Sequence, residues 1–87
     1  MREVALSPRA QEDIADIATY TLLTWGEEQM NRYVDGLNVR FLDLAEAPKQ
    51  FPQRNDAGRG MRSARYGAHI IFFRITDTGI RVVRVLH

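Results

Sequence analysis

Eighty-seven residues with 45% hydrophobic and 26% charged side chains describe a single folded domain, residues 1–87, and exclude a disordered tail. The absence of cysteine removes a disulfide framework and any thiolate metal site, and agrees with a reducing compartment. The net charge of +1 hides a split: residues 1–48 carry four cations against nine acids, a balance of −5, and residues 49–87 carry eight cations against Asp56 and Asp77, a balance of +6.

Seven of those eight cations are arginine, whose planar fork suits bidentate contact with carboxylate or phosphate. Either the two halves neutralise each other within the fold, or a basic face is left for a partner. The opening "MREVALSPRA" has no apolar run of signal-peptide length, and no segment nears the roughly 18 apolar residues of a membrane span. A soluble, cytoplasmic protein without membrane association is expected.

Residues 3–6 form a short β-prone run. Ser7 then offers a cap to a helix whose first position is Pro8, where a missing N–H is no loss. Ala10, Ile14, Ile17, Ala18, Thr21 and Trp25 recur at steps of three and four, an amphipathic stripe, and the acids Glu12, Asp13 and Asp16 fall elsewhere on the wheel in the early turns. Gly26 breaks this helix. A second starts at Glu27 with the stripe Met30, Tyr33, Val34, Leu37, Phe41, Leu44 and Ala45, and Pro48 ends it. So short a link predicts a helical hairpin packed on a sheet.

Residues 48–60, "PKQFPQRNDAGRG", have the composition of an irregular loop. Three strands are predicted after it, over 61–66, 69–76 and 80–87. Gly67 suits the first central position of a type II′ turn, and "TDTGI" suits a three-residue loop with Gly79 left-handed in a bulge. These turns pair Tyr66 with His69, Arg65 with Ile70, Thr76 with Ile80, Arg74 with Val82 and Phe72 with Arg84. One face then collects Ala64, Ile71, Phe73, Ile75, Val83 and Val85, and the helices should cover it. The other collects Arg65, Ile70, Phe72, Arg74, Val82, Arg84 and Leu86. Arginines among exposed apolar side chains are favoured at interfaces, so this second face is the expected partner-binding surface.

The chain has two histidines. His69 with Arg62, Arg65 and Tyr66 could form an acid-base site for RNA cleavage, the arginines stabilising a phosphorane; the plainer reading pairs His69 with Tyr66 across a hairpin. No nucleophile-and-base arrangement, P-loop or metal-ligand spacing is present, and no cofactor is expected. Direct nucleic-acid binding by stacking is disfavoured because Phe73 is predicted to point inward.

The stretches "LSPRAQEDIADIATYTLLTWGEEQMNRY", "GMRSARYGAHIIFFRI" and "GIRVVRVLH", in this order and spacing, resemble a bacterial toxin of the RelE/ParE superfamily on the ParE side. The resemblance implies an α+β fold of N-terminal strand, helical hairpin and three-stranded antiparallel sheet. It also implies the toxin of a type II toxin–antitoxin system, neutralised by a ParD-like antitoxin and directed at DNA gyrase by binding rather than catalysis. The RelE-like branch instead cleaves messenger RNA on the ribosome, commonly with a tyrosine near the C-terminus, and no tyrosine follows Tyr66 here. ParE-like chains usually run on past "VLH", so by this resemblance the chain reads as C-terminally truncated or as a shortened member.

Overall fold

The Ser-Pro step converts a strand into a helix within two residues. In the computed structural model, which describes residues 2–87, strand β1 spans Glu3–Leu6 and helix α1 spans Pro8–Trp25. Ser7 stays extended and its hydroxyl accepts the Ala10 N–H at 2.9 Å, satisfying one of the free donors of the first turn. Gly26 separates α1 from α2, Glu27–Glu46, whose first turn carries Glu27 and Glu28 in favourable contact with the helix dipole. The first turn of α1 holds no acid; Asp13, a turn later, has a different use described below.

The stripes behave as expected with one exception. Ala10, Ile17 and Thr21 of α1 and Leu37, Phe41, Leu44 and Ala45 of α2 are buried, whereas Trp25 is 69% exposed because no element covers the last turn of α1. After α2 the chain makes two short 3-10 turns, Pro48–Gln50 and Asn55–Ala57. It then enters β2 (Arg62–Tyr66), β3 (His69–Ile75) and β4 (Gly79–Leu86).

The three antiparallel strands are as predicted, and β1 adds a fourth by pairing in parallel with β4, giving the order β1-β4-β3-β2. The first hairpin follows the expected register, Tyr66 opposite His69 and Arg65 opposite Ile70, with Gly67 at φ 54°. A side chain there would also collide with the Tyr33 hydroxyl.

The second turn differs from expectation. Gly79 is not left-handed; it is fixed as glycine by close approach of the Glu3 backbone in the neighbouring parallel strand. The turn closes through Thr76, whose N–H donates to the Gly79 carbonyl at 2.9 Å and whose hydroxyl accepts the Gly79 N–H at 3.1 Å. Ile75 therefore faces Ile80, Arg74 faces Arg81 and Phe73 faces Val82. A bulge then inserts Val83, and beyond it Phe72 meets Arg84 as expected.

One misjudged turn thus reversed the first half of β4. Val82, expected on the partner face, is 0% exposed in the core beside Phe73, and Ile75, expected inside, lies 39% exposed at the end of the sheet. The core joins Ile17, Leu37, Phe41, Leu44, Ile71, Phe73, Ile80, Val82 and Val85 between the helices and one sheet face.

Candidate functional site

Alternation along β2, β3 and the outer half of β4 sends Arg65, Ile70, Phe72 and Arg74 to the sheet face away from the helices. Arg81, unassigned from sequence, joins them because it sits directly opposite Arg74. Like charges across a ladder are destabilising. The guanidinium of Arg74 bends away to donate to the Arg59 carbonyl, and Arg54 lies over the Phe72 ring at 5.6 Å while paired with Asp56 at 3.1 Å. Among the described residues, Arg65, Arg74 and Arg81 have no carboxylate partner.

Arg84 leaves this group. The open edge of β4 beyond β1 lets its side chain reach α1, where it forms a bidentate pair with Asp13 at 2.8 and 3.0 Å; the same carboxylate accepts the Val85 N–H at 2.9 Å. The Asp13 side chain is 12% exposed, and its carboxyl is held below the ordinary carboxylate value, first by the Arg84 hydrogen bond and then by the Val85 amide, against the opposing effect of burial. With Val82 in the core and Arg84 occupied, the expected six-residue surface reduces to Arg65, Phe72, Arg74 and Leu86.

Of the ion pairs among described residues, Arg84–Asp13 alone joins the acidic and basic halves; Arg2–Glu46, Arg32–Glu28 and Arg54–Asp56 lie within them. Direct pairing therefore leaves most of the charge split uncompensated.

The four residues of the ribonuclease reading do not converge. Tyr66 and His69 are cross-strand neighbours on the helix side, and Arg65 projects to the other face. Arg62 shares the face of Tyr66 but stands four residues away, about 13 Å along a strand, and donates to the Phe51 carbonyl at 2.7 Å.

What His69 does meet is Tyr33 of α2. The Tyr33 hydroxyl lies 2.7 Å from His69 Nδ1 and 3.3 Å from the Tyr66 carbonyl, and the Tyr66 hydroxyl donates to the Tyr33 carbonyl at 2.9 Å. Burial pushes the His69 imidazole below its ordinary value and His87, with ring centroids 5.4 Å apart, adds to the effect. Burial likewise raises the Tyr33 and Tyr66 phenols. This is a clamp fastening the β2–β3 turn to α2. No group of three or more potential metal ligands occurs among the described residues.

Beside the clamp runs a groove of about 750 Å³ between the second half of α1 and the end of β4. Ile17, Tyr20, Trp25, Tyr33, Val85 and Leu86 give it an apolar lining, and Asp13, Asp16, His69 and His87 line it as well. Sequence reasoning missed it. The available signal was Tyr20, Leu23 and Trp25 at the end of α1, more apolar side chains than the core stripe needs.

The family model described as ParE toxin of type II toxin-antitoxin system, parDE, matches residues 4–87. Toxin ParE1 of Caulobacter vibrioides is 36% identical over 87 residues, covering 100% of this chain and 90% of that protein. Toxin ParE1 of Mycobacterium tuberculosis is 38% identical over 84 residues, 94% of this chain and 85% of its own length. A solved structure described as the chromosomal ParDE TA system from P. aeruginosa superposes with a TM-score of 0.82 at 18% identity, covering 100% of this chain and 96% of that one, which shows the shared fold. The chain belongs to the ParE toxin family of type II toxin–antitoxin systems.

Proposed function

We propose that this ParE-family toxin works in the bacterial cytoplasm, is neutralised by a ParD-like antitoxin and, when free, inhibits DNA gyrase by binding rather than by catalysis. The observation that carries the antitoxin reading is the facing pair Arg74 and Arg81, with Arg65 on the same surface and no carboxylate on any of the three among the described residues. A fold gains nothing from like charges placed opposite each other, whereas an acidic segment of a partner relieves the repulsion and gains charge-assisted hydrogen bonds. Phe72 supplies apolar contact beside them, opposite Arg84 in the register. The gyrase reading rests on the family resemblance. The ribonuclease alternative finds no support in the geometry, because Arg65 and Arg62 do not reach His69.

The test is antitoxin affinity. Arg65→Glu and Arg74→Glu should each weaken the complex by roughly 1 to 3 kcal/mol, about five- to 150-fold, and unchanged affinity in both would remove this face from the interface. Purified toxin should block gyrase supercoiling, while transcript-end mapping in a translation extract should show no codon-dependent cuts. The reverse pair of results would favour the RelE-like activity.

A further inference from the structure

Ile70 is the ladder partner of Leu86, so one step further along the two strands His69 and His87 stand side by side. Their ring centroids are 5.4 Å apart at an interplanar angle of 79°. His69 is half-buried and His87 exposed, so a dissolved ion reaches the pair. Adjacent neutral imidazoles suit zinc, cobalt, nickel or copper, whereas magnesium and calcium take oxygen ligands.

The spacing fits a shared ion. Zinc bound about 2.0 Å from an imidazole nitrogen lies about 3.2 Å from the ring centroid, and two such rings on a tetrahedral ion have centroids roughly 5.2 Å apart. The present edge-to-face contact differs from chelation by a rotation of the exposed His87 side chain. His69 is already oriented. Its Nδ1 lies 2.7 Å from the Tyr33 oxygen, and the Tyr33 hydroxyl donates to the Tyr66 carbonyl at 3.3 Å. Since a carbonyl only accepts, this relay places the imidazole hydrogen on Nδ1, toward Tyr33, and leaves the Nε2 lone pair for a metal. Histidine ligands are held in this way, by a hydrogen bond from the nitrogen that does not bind.

The surroundings favour a cation. No lysine or arginine lines the cavity beside the pair, whereas Asp13 and Asp16 do. Asp13 is neutralised by Arg84; Asp16 has no cationic partner among the described residues. No third potential ligand joins the histidines into a closed cluster among those residues, so water completes the coordination and the site is an exchangeable one.

We propose that His69 and His87 form a two-imidazole site for a divalent transition-metal ion of the zinc class, bound through Nε2 of His69 and one nitrogen of His87. One ion per chain staples the start of β3 to the end of β4. The site uses none of Arg65, Arg74 and Arg81, and it stands apart from the proposed antitoxin and gyrase reading.

The test uses the untagged chain with cobalt(II), whose visible absorption reports coordination, and zinc as competitor. One cobalt per chain should bind and zinc should displace it, as the usual order of divalent affinities requires. Zinc should also raise the thermal unfolding midpoint progressively with its concentration, because it binds the folded state. His87→Ala, a change at an exposed position, should weaken zinc binding by more than about tenfold and abolish the thermal shift, as loss of one of two protein ligands demands. His69→Gln should do the same, and Arg65→Glu should bind zinc like the parent protein. Undiminished zinc affinity in His87→Ala, or an equal response to magnesium, overturns the proposal by giving the ion to carboxylates. Two chains per ion in sedimentation also overturns it, as does the absence of both cobalt absorption and thermal shift at millimolar metal. Failure of antitoxin binding or gyrase inhibition bears only on the proposed function.

Discussion

Asp13 is the residue on which two elements depend. It neutralises Arg84, holds the Val85 amide and thereby ties α1 to the outer half of β4. Asp13→Asn removes the charge from a mostly buried pair and should lower stability by about 2 kcal/mol, read as a reduced urea midpoint with unchanged slope. Because the carboxyl value in the fold is depressed, its contribution is fully present above the unfolded value of 3.8 and is lost as pH falls through the lower folded value. The Asn variant should accordingly show a flatter loss of stability below about pH 4 than the parent protein. In sequence Asp13 is one of three early-turn acids that fall off the apolar stripe. Nothing local marks it, because its partner lies 71 positions away.

At the scale of the element, Gly79 carries the most specific expectation. A methyl group there would meet the Glu3 backbone, which cannot move without breaking the β1–β4 pairing. Gly79→Ala should destabilise the protein by about 1 to 3 kcal/mol, measured by denaturant unfolding, with amides of residues 3–6 losing protection against hydrogen exchange first. Most elements were legible without coordinates: the Ser7–Pro8 start, the Gly26 break, the two helical stripes and the Gly67 turn each have a local cause. The second turn was not, since the residues 76–79 fit two loop geometries and the choice is made by β1, a strand distant in sequence. That one-residue difference placed Val82 wrongly, and the Val83 bulge then restored the pairing of Phe72 with Arg84. Arg84 was still lost to the partner surface because side-chain reach around an open edge is invisible to strand alternation.

For the whole molecule, the charge split is retained in the folded state, with Arg84–Asp13 as the sole ion pair joining the halves among the described residues. A face with Arg65, Arg74 and Arg81 should draw an acidic antitoxin segment from a distance. Association measured by stopped flow should slow as ionic strength rises from about 0.01 to 0.15 M, where the screening length falls from roughly 30 to 8 Å, while dissociation changes little. An association rate indifferent to salt would argue against that face. No helix among the described residues is long and apolar enough to cross a membrane.

The parallel pairing of β1 with β4 has a temporal consequence. The first strand to leave the ribosome waits for the last, because β1 has no other neighbour in the sheet and contacts so distant along the chain form late. Fragments released from a broken message lack the strand that completes the sheet, so neither the arginine face nor the groove wall at Val85 and Leu86 exists in them, and such fragments should be inert.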